Sequence, residues 1–295
     1  MSQNYDGARI EWERLAEKAI KKHDYEDAAR FFHYVTISFG LANDESNQKK
    51  YANKTGECYL QGARKLEDEN DFLKAILLCI KATNSFQEGG SEESSKLCDS
   101  VIRKYYALIA RYGLTRIDGD AHNLKGVGDY FFNNGDLEKA IECYRTAAEK
   151  AFKEDKLALS GGLYRDVGDC YQRLKDFENA AKTYATAADM YFNCQEYFEA
   201  ASHYCESGFL FIHVGRLKEA SIMARKAGFS CDEGCIDILL NDLSYICRLL
   251  SERSLYEAEE RWKKIRMKFK RSYIDLIDSC FRALREKVGR ECTGF

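Results

Sequence analysis

A chain of 295 residues, 45% apolar and 32% charged with a net charge of −3, has a globular balance and room for one large domain or two small ones. It contains no proline, which excludes Pro-rich linkers and polyproline segments and suits helices joined by tight turns. No apolar run is long enough to cross a bilayer and the opening MSQNYDGARIEWERLAEKAI has no signal-like apolar core, so a cytoplasmic protein is expected.

Twelve cysteines in such a chain read as reduced, mostly buried thiols. The nearest approach to a metal pair, Cys231-x-x-x-Cys235, has no second Cys/His pair at zinc-finger spacing, and no metal or cofactor is expected.

The pattern predicts an all-α chain of about 14 helices, over 8–22, 24–40, 46–66, 71–87, 91–112, 118–134, 136–152, 155–175, 176–193, 195–214, 216–228, 232–250, 253–270 and 272–289. In the second of these, Ala28, Phe31, Phe32, Val35 and Phe39 fall on one helical stripe. FFHYVTISFG is therefore read as core and not as a membrane-touching segment.

From residue 121 the chain repeats itself. Gly128, Phe131, Gly135, Ala140, Tyr144 and Ala147 return forty residues later as Gly168, Tyr171, Lys175, Ala180, Tyr184 and Ala187. The implied unit is a helical hairpin. A glycine lets the second helix approach closely, and an aromatic three residues on fills the space between the two. Asn134-Gly135 ends the first helix, and Asp136 and Asp176 stand where an N-cap would. One hairpin cannot bury both its faces, so such units stack.

These residues resemble the tetratricopeptide signature over 121–152 and 161–192, without that family's usual proline after the second helix. The turn-plus-alanine pattern also recurs every twenty residues, in DFENA (176–180), EYFEA (196–200) and RLKEA (216–220). Weaker copies occur as DYEDA (24–28) and DFLKA (71–75).

The last three helices drop the rhythm for a stripe of Trp262, Ile265, Phe269, Tyr273, Leu276, Cys280 and Leu284, expected to close the open end. The organisation predicted is a right-handed α-solenoid of hairpins over 1–230, capped by a basic helical bundle over 231–295.

A helical superhelix with this doubled motif and a closing bundle resembles the soluble NSF attachment proteins. These adaptors embrace a SNARE coiled-coil bundle and recruit a hexameric AAA+ ATPase that pulls it apart. The resemblance implies a cytoplasmic adaptor in vesicle transport and membrane fusion, with peripheral membrane contact. The chain departs from the family in two places: the Phe-rich loop expected between the first two helices is absent, and REKVGRECTGF replaces an acidic, leucine-containing tail.

Two sets of residues are candidates for partner contact. In RWKKIRMKFKR, Arg261, Lys263, Lys264, Arg266, Lys268, Lys270 and Arg271 are basic and nothing is acidic. Across 261–290, eleven lysines and arginines stand against three acidic residues. A stretch this one-sided suits an acidic protein surface, anionic lipid or RNA. Nucleic acid is the weaker option, because no RNA-binding motif accompanies the run and the chain as a whole is acidic.

The second set follows from the tetratricopeptide resemblance, which places His122, Lys125, Asp129, Arg165, Asp169 and Arg173 on the inner face. Asp129 stands where members that clamp acidic peptide tails present Asn. Catalysis is not expected: the five histidines lie in different helices, and neither a GxGxxG nor a P-loop sequence occurs. The remaining readings are a general scaffold that takes a peptide or helix in its groove and a basic-tailed RNA or anionic-lipid binder.

Overall fold

The computed structural model describes residues 3–112, 120–236 and 238–292. The chain is an all-α solenoid of antiparallel helices, and every regular element among the described residues is helical. It forms two compact units, 1–119 and 120–295. The boundary that the repeat pattern suggests at 230/231 falls inside the second unit.

In the first unit, α1 (Gln3–Lys21), α2 (Tyr25–Leu41), α3 (Glu45–Asp68), α4 (Phe72–Glu88) and α5 (Glu92–Tyr112) each pack on the next in order. The side chains of Asp24, Asp44 and Asp71 accept the backbone N–H of Asp27, Asn47 and Lys74, capping α2, α3 and α4. Phe32 and Val35 are buried, with Phe31 and Phe39 packed against the same core. FFHYVTISFG is therefore mainly core, although Tyr34, Ile37 and Leu41 on its other side are exposed.

The second unit contains α6 (Ala121–Asn133), α7 (Leu137–Lys153), α8 (Leu157–Arg173), α9 (Phe177–Asn193), α10 (Tyr197–His213) and α11 (Leu217–Glu233), again stacked in sequence order. Helices α7 to α11 each have 17 residues, so with three-residue turns the chain returns to the same point every twenty.

The turns are alike. A residue with positive φ (Gly135, Asp155, Lys175, Gln195, Gly215 or Cys235) precedes a backbone N–H that bonds a carbonyl five residues back. The pairs are Asp136 to Phe131, Lys156 to Ala151, Asp176 to Tyr171, Glu196 to Tyr191, Arg216 to Phe211 and Ile236 to Cys231. This left-handed closure satisfies the last carbonyls, so the helices stop without a proline. Gly135 and Gly215 adopt it freely, whereas Lys175 and Gln195 are held in it.

The capping aspartates divide. Asp176 accepts the N–H of Asn179 as expected, but Asp136 makes no side-chain cap bond and instead pairs with Lys139. The alanines of the motif do what their spacing implies: Ala28, Ala75, Ala140, Ala180, Ala200 and Ala220 are fully buried.

Helix ends differ most from expectation around the last turns. α11 runs to Glu233 instead of 228, because its closing turn keeps the seventeen-residue rhythm. α12 (Ile238–Ser251) begins correspondingly later than 232. α13 (Leu255–Ile265) does not reach 270. It tightens into a 3-10 turn over Arg266–Lys268, and Phe269 is extended, its ring tilted against Trp262 with centroids 5.7 Å apart, before α14 (Arg271–Cys292) begins.

α14 folds back onto α10, where Cys280 Sγ donates to the Phe209 carbonyl at 3.1 Å. Trp262, Ile265, Cys280 and Leu284 are buried in the same core as α9 and α10, and Phe269, Tyr273 and Leu276 pack against it. No described helix is long and apolar enough to cross a membrane. Among the described cysteines no disulfide forms, and all but Cys194 and Cys235 are buried.

Candidate interaction face of the second unit

Close approach of paired helices sets the geometry. A Cβ on Gly128 would lie 2.6 Å from the Tyr144 ring, and one on Gly168 would lie 2.7 Å from that of Tyr184. Each tyrosine crosses over its glycine and reaches an aspartate one residue further along the first helix. Tyr144 donates to Asp129 at 2.8 Å, and Tyr184 donates to Asp169. Tyr204 donates to Asp189 in the same way. Each acceptor lies fifteen residues before its donor.

Burial, reinforced by the neighbouring carboxylates, raises the three tyrosines far above the ordinary phenol range, so they remain neutral donors. Burial also raises the carboxyl of Asp169, against the Tyr184 bond that lowers it. This spacing was present in the sequence but escaped a reading that matched only the signature positions.

The first helices of the hairpins, α6, α8 and α10, share a face tied across its width. Lys125 bonds both carboxylate oxygens of Asp129 at 2.9 Å and approaches Asp166 at 3.9 Å. Arg165 binds Asp166 at 2.8 Å. Arg173 lies over the Phe132 ring, 3.7 Å from its centroid, and Gln172 donates to Glu206 at 3.1 Å. His122 is exposed at the start of α6.

Lys125 and Arg165 thus meet at Asp166, while Arg173 is held separately over Phe132. Asp166, which meets both Lys125 and Arg165, and Glu206, which accepts from Gln172, were not foreseen, because the resemblance marks positions and not who meets whom. Deeper in the face, His203 is buried between the rings of Tyr184 and Tyr191, with Glu199 and Glu206 at 3.8 and 3.5 Å. The face ends at a 310 Å³ pocket where α14 crosses α10, lined by Gln172, Phe177, Glu206, His213, Tyr273 and Asp275 among others.

The basic run is divided by the fold. Arg261 binds Asp242 at 2.7 Å and lies over Tyr245. Lys263 pairs with Glu260 at 3.0 Å and Glu259 at 3.6 Å. Arg266 shares Asp278 with the Trp262 Nε1–H, at 2.7 and 2.8 Å, and Arg271 pairs with Asp275. Lys264, Lys268 and Lys270 are exposed and, among the described residues, have no carboxylate partner; Met267 beside them is 87% exposed.

Known proteins share parts of this arrangement. Residues 115–234 match the family model of the soluble NSF attachment protein, SNAP, which falls on the helices that build the tied face. Over these residues the chain resembles SNAP, and its fold is one of stacked tetratricopeptide-like hairpins. A stretch of 63 residues, 21% of the chain, is 38% identical to unc-45 homolog B of Danio rerio and covers 7% of it.

Among solved structures, a Signal Transduction ATPase with Numerous Domains protein with a tetratricopeptide repeat sensor, from Pyrococcus horikoshii, superposes with a TM-score of 0.52 at 19% identity. That alignment covers 93% of this chain and 43% of the archaeal one, so the chain spans well under two thirds of either relative. The family match and the fold together describe a tetratricopeptide-like helical interaction scaffold.

Proposed function

We propose that the protein is a non-enzymatic, SNAP-like adaptor that holds a helical bundle of the SNARE coiled-coil type and links it to an AAA+ disassembly ATPase in vesicle trafficking. The observation that carries this reading is the family match over 115–234, coincident with the helices that form the tied face. Stiffness suits such a role: cross-helix ion pairs and buried tyrosine bonds hold α6–α10 in one arrangement, so little ordering remains to be done when a partner binds.

The contacts proposed are Lys125, Arg165 and Arg173 on the face and the basic run of the cap over 231–295. Because Arg261, Lys263, Arg266 and Arg271 are engaged internally, Lys264, Lys268 and Lys270 are the cations most available to an acidic partner. Attraction of this kind weakens as salt rises. The expected location is cytoplasmic and peripheral to membranes.

A second reading, a general scaffold that binds a peptide or helix in its groove, is favoured by the face's own charge. Asp129, Asp166, Asp169 and Glu206 sit beside Lys125 and Arg165, which suits a partner of mixed sign.

Pull-down of a SNARE-type coiled-coil bundle and of an AAA+ ATPase tests the first reading. The parent should retain both, and a variant with Lys264, Lys268 and Lys270 changed to Glu should lose retention. Retention of neither by the parent sinks the adaptor reading, while equal retention by the variant removes the basic turn from it.

A further inference from the structure

On the side of the second unit formed by α11, α12 and α13 lies an open cleft of 540 Å³. Three arginines, one from each helix, line it: Arg225, Arg248 and Arg261. Arg248 and Arg261 lie over the Tyr245 ring, 4.6 and 4.2 Å from its centroid. The ring is itself fixed, since its hydroxyl bonds Glu257 at 2.9 Å. Arg261 is bound to Asp242, whereas among the described residues neither Arg225 nor Arg248 pairs with a carboxylate.

Exposed guanidiniums without carboxylate partners keep their donors available to an anion, and the Tyr245 ring holds the plane of Arg248 ready for one, while Arg225 spends only its Nε–H on the Ser221 carbonyl, at 3.4 Å. The floor near them is Ala224, Gly228 and Ser244, and Phe229 stands 54% exposed at the side.

We propose that this cleft binds a phosphorylated side chain of a partner protein. A phosphomonoester carries nearly two charges at neutral pH and three acceptor oxygens, enough to engage Arg225 and Arg248 together. A single carboxylate would not match it, because its two oxygens serve one guanidinium fork, whereas Arg225 and Arg248 present two that a phosphomonoester's three oxygens can engage together. Asp232, Asp242 and Asn241 in the same cleft provide acceptors for the N–H groups of a peptide chain, which a bare phosphate would leave unused. Ala224 and Phe229 provide apolar surface for the stem of the modified side chain.

The site shares Arg261 with the basic run, but Arg225 and Arg248, on which the test rests, are outside the contacts proposed for the SNAP-like reading, so the two can fail separately.

The test uses a degenerate pool of short phosphoserine peptides and its unphosphorylated twin, with fluorescence anisotropy on the full chain. The phosphorylated pool should bind about tenfold tighter, and Arg225→Ala with Arg248→Ala should abolish the difference. Both arginines are exposed, so the variant should melt like the parent. Arg248→Lys, which keeps the charge but loses the fork, should fall between the two.

Three results would overturn the proposal: equal binding of the two pools, phosphate-dependent binding that persists in the double variant, or retention only on vesicles bearing inositol phosphates. Inorganic phosphate in excess should compete with the peptide pool, and failure to compete would place binding elsewhere.

Discussion

Helices α7–α11 and helices α12–α14 belong to one unit, and α9–α11 share a core with the second group, yet the two groups are held by different means. In the first group every turn closes on a left-handed residue at a twenty-residue interval, and tyrosines reach back fifteen residues to an acid. In the second group the ties are particular: Trp262 and Arg266 converge on Asp278, Cys280 donates to a carbonyl of α10, and His213 meets Ser279 at 2.9 Å. Repetition lets each hairpin inherit the same solution, whereas a terminal element must cover the last exposed face once, with contacts that need recur nowhere.

The sharpest test of the repeated part is Gly168→Ala. The new methyl would press on a fully buried Tyr184 ring, and the helix-propensity gain cannot offset that crowding. A loss of about 2 kcal/mol is expected by urea denaturation. Full parental stability would show that close approach is not what the glycine provides.

Next come the donors. Tyr184→Phe leaves Asp169 without its hydroxyl and should cost about 1–2 kcal/mol, and Trp262→Phe in the cap should cost about 1 kcal/mol, since Arg266 still holds Asp278. If the cap substitution were the more damaging, the contrast between repeated and unique ties would have to be reversed.

A pH series separates the regions further. Burial first, and Arg282 second, lowers the His213 imidazole below its ordinary value, so the folded state binds fewer protons there than the unfolded state. Its contribution to stability is therefore complete above the ordinary imidazole range and is lost as pH falls below about 6.5. Gly and Tyr variants of the repeat should keep this slope, while His213→Gln should flatten it; melts at pH 7.5 and 5.5 read the difference.

The smallest effect is expected at the exposed turn. Changing Lys264, Lys268 and Lys270 to Glu should move stability by no more than about 0.5 kcal/mol, because all three are exposed and none holds an ion pair among the described residues.

Much of the fold was legible from residues 121–220, where alanine, glycine and tyrosine recur at intervals that only stacked helices explain. The ends of α11 to α13 were less so, because a left-handed turn can be held by Cys235 as well as by glycine and leaves no composition mark. The candidate face was legible as a list of positions, Lys125, Arg165 and Arg173, but not as a set of contacts. The basic run was legible as charge, but its availability was not.

Sequence alone determined what is local and periodic: helix length, turn spacing and the buried alanine and tyrosine stripes follow from backbone geometry repeated along the chain. Only the tertiary structure decided which charges are spent and which are free. Arg261 meets Asp242, and Arg266 meets Asp278, across turns whose angles no spacing encodes. It likewise gathered Arg225 and Arg248, which no motif joins, over one cleft. Periodicity fixes what each helix buries, but the meeting of side chains from different helices depends on how those helices pack.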